Sequence, residues 1–123
     1  MCGDEVELTM TRRGGCIGAI RYTGHGCVIS QASTAMMAEA LEGQELGKAR
    51  SLIETFRGML LRGTSVSTVP ADLEEAKALE GVRKFPVRVK CALLAWNTMW
   101  LGLDKALDGA AGTQEAQYTE SER

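Results

Sequence analysis

The sequence lacks any apolar run that approaches the roughly 20 residues needed to cross a bilayer, and it lacks the regions of a secretory signal peptide. It also lacks a basic stripe. Lys and Arg are scattered, and the net charge of -2 with a pI near 5.4 gives no field that attracts phosphate backbones. These absences argue against membrane and nucleic-acid partners and predict a cytoplasmic protein.

Two patterns common in metal sites are missing as well. There is no C-x-x-C motif, and the gaps between Cys2, Cys27 and Cys91 match no local zinc-finger pattern. Four cysteines are nevertheless present, the fourth being Cys16. In a reducing compartment they point to metal binding or thiol chemistry before disulfides. On spacing alone, an interpretation of the cysteines as small apolar core residues is slightly favoured.

The composition is that of one globular domain. The chain has 123 residues, of which 45% are hydrophobic and 24% charged, enough for one core but not for two. No internal repeat is present. Beyond Asp108 the sequence shows no periodicity and few large apolar groups, so we expect a domain over 1–107 and a disordered tail over 108–123.

The first part of the domain has the pattern of β-strands. Residues 5–11 alternate between apolar and polar, Gly14-Gly15 offers a hairpin turn, and residues 16–24 continue as a second strand. The short run 27–30 is either a third strand or an extended approach to a helix. These segments predict a small antiparallel sheet of three strands.

The pattern then changes to helical spacing. One helix is predicted from Ser30 or Ser33 to Gly43, a second over about 45–62, a short acidic one through about Leu79, and a long central one over 87–106. The predicted fold class is therefore α+β, a small three-stranded antiparallel sheet packed against several helices. Four large side chains are assigned to core packing on these helices: Met36, Met37, Trp96 and Trp100.

Three of the cysteines fall at the ends of these elements. Cys2 precedes the first strand, Cys27 lies between the sheet and a helix N-terminus, and Cys91 is near the first turn of the long helix. The positive end of a helix favours a thiolate, which is both the metal ligand and the nucleophile. With Asp4 these cysteines would form a tetrahedral set of three sulfurs and one oxygen, which suits zinc, and the same thiolates suit an iron-sulfur cluster.

Three other residues have competing interpretations. Arg88 lies one helical turn before Cys91 and either supports its thiolate, engages a partner or is a surface charge. Cys16 falls in the second strand, where a packed or surface thiol is favoured over catalysis. His25 sits in a Gly-His-Gly turn, where a solvated side chain is favoured over a metal ligand.

Three separated segments carry a resemblance to a known family. CGD at 2–4, YTGHGCVISQASTAMM at 22–37 and FPVRVKCALLAW at 85–96 resemble, in the same order, the signature blocks of the SufU-type branch of the IscU/NifU N-terminal family. Lys90 stands where the IscU branch has a histidine ligand, and the long gap between Cys27 and Cys91 accommodates the extra helical segment of the SufU branch. The resemblance covers Cys2 to about Leu107 and implies a SufE/NifU-like fold.

The resemblance implies a zinc-dependent sulfurtransferase. Such a protein accepts persulfide sulfur from a pyridoxal-phosphate-dependent cysteine desulfurase of the SufS type and passes it to a SufBCD-type iron-sulfur assembly scaffold. Carried over by position, Cys2, Asp4, Cys27 and Cys91 are the zinc ligands and Cys2 is the sulfur acceptor. Arg88 joins them as a candidate supporting residue because of its spacing to Cys91, not through the resemblance. Family members carry a helical segment before the CGD block, whereas only Met1 precedes it here.

Two alternatives remain open on the same residues. One is a non-enzymatic scaffold on which a transient iron-sulfur cluster is assembled and then transferred, because soft thiolates serve either metal. The other is a binding adaptor in which the zinc is purely structural. In that adaptor Cys2 would be replaceable by another ligand without loss of activity.

Overall fold

The alternating segment near the N-terminus forms a β-hairpin. In a computed structural model, which describes the backbone of residues 5–108 and 113–121 and the side chains of residues 5–104, β1 (Glu5–Arg13) pairs antiparallel with β2 (Cys16–His25). Val6, Leu8 and Met10 lie on the buried face of β1, as the alternation predicts. The turn contains Gly14 at φ 61°, a conformation that glycine adopts without steric strain.

A β-bulge interrupts this hairpin. Met10 pairs with Ile20 but Arg12 pairs with Ile17, so β2 has one extra residue at this point. The bulge turns both Ile17 and Ile20 toward the core although they are three positions apart, and their exposed fractions are only 1% and 6%. The Thr11 hydroxyl accepts the Ala19 N–H at 2.8 Å inside the bulge. Strict alternation therefore describes β1 better than β2.

The third strand comes from the end of the chain. β3 (Thr113–Ser121) pairs antiparallel with β1, and the strand order is β2-β1-β3. The α+β fold class is confirmed, but residues 27–30 do not form the third strand of the predicted sheet. The strand that joins the hairpin instead is β3, in the segment that the sequence assigned to a disordered tail. Residues 109–112 and 122–123 of that segment lie outside the described residues. A strand paired through its backbone needs no apolar period, which explains why the pattern did not reveal it.

Three α-helices form the second layer. They are α1 (Val28–Leu41), α2 (Leu46–Leu61) and α3 (Pro86–Asp108). Residues 27–30 thus approach and begin a helix, and the predicted ranges 45–62 and 87–106 are close to those observed. The region predicted as a short acidic α-helix consists of 3₁₀ helices instead: Val66–Thr68, Ala71–Leu73 and Glu75–Lys84. Ala76 and Leu79 are buried three positions apart, which matches three residues per turn.

One hydrophobic core joins the layers, and α3 is its centre. This helix contacts α1, α2, β1 and β3. Trp96 is fully buried and stacks on Phe56 of α2, with ring centroids 4.0 Å apart and planes 10° from parallel. Met37 is also fully buried, whereas Trp100 is half-buried beneath the Arg50 guanidinium, 4.5 Å from the ring centroid. Among the described helices, none combines the length and apolarity that a bilayer crossing requires.

Candidate thiol and metal centre

Cys27 forms the junction between the sheet and α1. It is the N-cap residue of the helix, with extended backbone angles of φ -73° and ψ 169°. Its Sγ accepts the Ser30 N–H at 3.5 Å, so a sulfur satisfies one of the N–H groups that every helix start leaves unpaired. The predicted cap at Ser30 or Ser33 is wrong, because the thiol begins the helix three residues before Ser30. The prediction that Cys27 lies at a helix N-terminus is confirmed.

Cys91 lies deeper in the molecule. It is the sixth residue of α3, in the second turn rather than the first, and only 1% of it is exposed. Pro86 opens this helix, at the position where a missing N–H removes no hydrogen bond. The Phe85 carbonyl accepts the Arg88 and Val89 N–H groups at 2.8 and 3.0 Å, which closes the first turn. Cys91 is therefore held by a well-formed helix start.

Helices α1 and α3 begin at the same end of the domain. Ile29, near the start of α1, lines a groove of about 660 Å³ together with Phe85 and Arg88 at the start of α3. Further along, the Ser33 hydroxyl of α1 donates to the Ala92 carbonyl of α3 at 2.6 Å. Contacts that advance along both helices together mean that α1 and α3 run parallel. Cys27 and Cys91 are consequently brought to the same end of the helical layer.

The start of β1 belongs to this end too. Glu5, the first described residue, pairs with His25, which lies two positions before Cys27. Cys2 and Asp4 fall outside the described residues, so their predicted part in the site stays a prediction. Within the described ranges, no three His, Cys, Asp or Glu side chains come together as a metal-binding group. The described part of the chain thus supplies two of the four predicted ligands.

The remaining sequence candidates occupy distinct places. Arg88 is exposed in the first turn of α3 and lines the groove with Phe85. His25 is exposed at the end of β2, in agreement with a solvated side chain. Cys16 is exposed at the other end of β2, about 30 Å along the strand from His25. Cys16 therefore lies far from the Cys27 end, which supports its exclusion from the site.

The sequence did not identify the hydroxyl groups around the thiols. Ser30, Ser33 and Thr34 are buried at 4%, 0% and 5% exposure on α1, directly after Cys27. The Trp96 indole, assigned only to packing, donates its Nε1–H to Ser33 Oγ at 2.8 Å. The available signal was the cluster of three hydroxyl residues within five positions of a mostly apolar helix.

The chemistry of the site follows from its donors. Two thiols on separate elements, Cys27 at the N-cap of α1 and Cys91 in the second turn of α3, lie at the end of the domain where both helices begin. Thiolates bind zinc and iron-sulfur clusters, and their partial or full burial keeps competing water away from a metal. The donor set fits either metal. The fold and the thiols together define a class of protein: a small α+β domain with two cysteines where α1 and α3 begin.

Comparison with known proteins gives the family. The model of the NifU-like N-terminal domain matches residues 1–92, so the chain belongs to that family. It is 37% identical over 108 residues to the zinc-dependent sulfurtransferase SufU of Bacillus subtilis (strain 168), covering 88% of this chain and 72% of that protein. It is 40% identical over 98 residues to the iron-sulfur cluster assembly scaffold protein IscU of Streptococcus pyogenes serotype M1, covering 80% of this chain and 60% of that protein.

A solved structure agrees with this assignment. A protein from Fervidobacterium islandicum AW-1, described as a candidate iron-sulfur cluster assembly scaffold protein for the SUF system, superposes with a TM-score of 0.74 at 35% identity. The match covers 83% of this chain and 73% of that one. The predicted SufU-type, IscU/NifU-like resemblance and the α+β fold are confirmed. The relatives carry two different functional names, a sulfurtransferase and a scaffold.

Proposed function

We propose that this chain is a zinc-dependent sulfurtransferase of iron-sulfur cluster assembly. Cys2, Asp4, Cys27 and Cys91 would hold the zinc, and Cys2 would accept sulfur from the persulfide of a pyridoxal-phosphate-dependent cysteine desulfurase. The sulfur would then pass to an assembly scaffold of the SufBCD type. This proposal takes its activity from the SufU relative and its site from the sequence blocks.

One observation carries the proposal: α1 and α3, which bear Cys27 and Cys91, begin at the same end of the domain as β1. Cys27 caps α1, Cys91 lies in the second turn of the parallel α3, and Glu5 pairs with His25, two positions before Cys27. Consecutive Cα atoms are about 3.8 Å apart, so the chain from Glu5 to Cys2 spans at most about 11 Å. Connectivity alone thus ties the CGD block to the end of the sheet where Cys27 lies, which supports a shared site.

The sulfur transfer itself is an exchange between thiols. The Cys2 thiolate attacks the outer sulfur of the desulfurase persulfide, a sulfur-sulfur bond forms on Cys2, and the desulfurase cysteine leaves as its thiolate. No net oxidation occurs, and one sulfur atom moves between the proteins. Zinc, when bound, keeps its thiolate ligands deprotonated and moderates their reactivity. The buried Cys91 and the capping Cys27 are held by their helices, which supports Cys2 as the proposed acceptor.

Arg88 fits a role in contact with the desulfurase. Its guanidinium is on the exposed wall of the groove that Ile29 and Phe85 line, at the same end as the thiols. The exposed apolar side chains of Val28, Phe85 and Val87, at 80%, 59% and 54% exposure, surround the same place. A partner that covers this end of the domain would bury them, which supports partner contact over an isolated surface charge.

A scaffold function is the second candidate, favoured by the IscU relative. The thiolates of Cys2, Cys27 and Cys91 could hold a transient iron-sulfur cluster. The residue before Cys91 is Lys90, which is exposed and stands where the IscU branch has a histidine ligand. The single histidine of this chain is His25. The ligand set thus lacks the extra histidine, which favours zinc and sulfur transfer.

Metal content and desulfurase kinetics separate the two candidates. The purified chain should contain zinc and accelerate alanine release by a cysteine desulfurase, and Cys2→Ser should abolish the acceleration. Cys16→Ser is the matched control, because it removes an exposed thiol far from the site and should leave the rate unchanged. A protein that contains iron, shows the absorption of a cluster and leaves the desulfurase rate unaltered would support the scaffold instead.

A further inference from the structure

A buried serine links the two helices that carry the thiols. Ser33 of α1 is 0% exposed, and its hydroxyl donates to the carbonyl of Ala92 in α3 at 2.6 Å. The Trp96 indole Nε1–H donates to the same Ser33 oxygen at 2.8 Å. Both the proton of the Ser33 hydroxyl and one of its lone pairs are therefore used in contacts with α3.

This use of a helical hydroxyl is unlike that of its neighbours. Thr34 and Thr98 are buried too, but their hydroxyls donate within their own helices, to Ser30 and Leu94 carbonyls at 2.8 Å each. Such local bonds are common for hydroxyl side chains in helices and place no constraint on a second helix. Ser33 instead crosses between helices. The Ala92 carbonyl also accepts the backbone N–H of Trp96 within α3, as expected four residues apart in a helix. Both groups of α3 that contact Ser33 therefore belong to one regular helical turn.

The bridge lies close to both thiols in the chain. Ala92 directly follows Cys91, and Ser33 follows Cys27 by less than two helical turns, about 9 Å along α1. A hydrogen bond of 2.6 Å does not tolerate sliding of one helix along the other. We infer that Ser33 is a positioning residue whose hydroxyl fixes α1 against α3 and so sets the separation of Cys27 and Cys91. The inference rests on the proposed metal site.

Cobalt substitution tests this directly. Co²⁺ bound by thiolates absorbs visibly and in the near ultraviolet, and the energies of its bands follow the ligand geometry. The wild-type chain and its Ser33→Ala variant would be stripped of metal and titrated with Co²⁺. We expect Ser33→Ala to shift the visible bands and to weaken Co²⁺ binding by about tenfold or more, in the range typical when a supporting contact behind a metal ligand is lost.

The matched control is Thr98→Val. It also removes a buried helical hydroxyl, but one that bonds only within α3, so its Co²⁺ bands should match the wild type and its affinity should fall less than about twofold. Urea unfolding of each metal-free protein measures how much the substitution lowers the free energy of unfolding in the absence of metal. If Ser33→Ala does not fold, Trp96→Phe breaks the other half of the bridge, and its bands should shift in the same direction.

The outcomes separate this inference from the proposed function. A wild-type chain that gives no thiolate-cobalt absorption contradicts the metal site itself. A wild type that binds Co²⁺, with Ser33→Ala bands and affinity equal to those of Thr98→Val, contradicts the positioning role and leaves the metal site standing. Unshifted bands in Trp96→Phe, where that variant is used, contradict it equally.

Discussion

At the scale of single residues, the thiol of Cys27 serves the fold and is also a ligand in the proposed metal site. Its sulfur caps α1, a position that Ser, Thr, Asp or Asn usually fills, and it lies beside the segment that follows the CGD block. Cys91 is fixed by burial and Cys16 is excluded by distance along β2. The cysteines thus differ in role because of where their elements begin and end.

Asp4 is the residue whose loss should separate metal binding from folding. Asp4→Ala removes the single oxygen ligand of the proposed set, and we expect zinc affinity to fall on the order of tenfold or more while the fold is retained. A zinc-competition titration with a chromogenic chelator measures the change. Asp72→Ala is the control, because Asp72 is an exposed surface residue that pairs with Lys48 at 3.4 Å. Equal zinc affinities in the two variants would remove Asp4 from the site.

The sequence pattern predicted the places of Cys27 and Cys91 but not the hydrogen bonds between the helices that carry them. Cys27 and Cys91 were placed at helix starts because the apolar spacing changes at Ser30 and at Pro86. The Ser33–Trp96 hydrogen bond was not predicted, because it joins residues 63 positions apart in the sequence. A polar contact between two helices leaves no periodic signal, whereas an amphipathic stripe does.

At the scale of elements, the site depends on how the ends of β1, α1 and α3 meet. The strand and helix periods predicted β1 and α2 almost to their observed ends. The bulge in β2 and the 3₁₀ helices before α3 were not predicted, since both depend on pairing and packing partners elsewhere in the fold. The pairing of Glu5 with His25 then places the start of β1 beside the segment that leads into α1.

Gly24→Ala should disturb this end of the sheet. A Cβ at Gly24 would run into the Glu5 carbonyl oxygen and lie 3.1 Å from Val6 Cα, both backbone atoms that a side-chain rotation cannot relieve. We expect the free energy of unfolding to fall by about 1–3 kcal/mol, as for other overpacked sites. Urea denaturation followed by circular dichroism measures it, together with the loss of desulfurase acceleration.

Gly15→Ala provides the comparison for this substitution. A Cβ at Gly15 meets nothing within 4 Å and its backbone is not left-handed, so stability should stay the same or rise by up to about 1 kcal/mol. Equal stabilities for Gly24→Ala and Gly15→Ala would show that the approach of β1 to β2 beside His25 is not as close as described.

At the scale of the whole molecule, one core supports the proposed site, whose predicted ligands come from distant parts of the chain. The Phe56–Trp96 stack joins α2 to α3, and Ser33 joins α1 to α3, so the helical layer presents its N-terminal ends as one body. A metal held by residues before β1, at the start of α1 and in α3 would bind the folded state and not the unfolded one. Metal binding should therefore be coupled to global stability.

Zinc removal should lower the free energy of unfolding. At free zinc near 100 times its dissociation constant, binding to the folded state alone contributes about 2.7 kcal/mol, which chelation would remove. Urea unfolding with and without a chelator measures the difference, and Asp4→Ala should show a smaller one. Identical urea midpoints for the wild-type chain in both conditions would contradict a site that spans the three elements.

The central claim is that Cys2 receives sulfur, and peptide mass spectrometry tests it most directly. The chain would be incubated with a cysteine desulfurase and cysteine, its thiols alkylated, and its peptides examined for the mass of one added sulfur atom. We predict the persulfide on the Cys2 peptide and none on the Cys16 peptide. A chain that accelerates no desulfurase and carries no added sulfur on Cys2 would contradict the account.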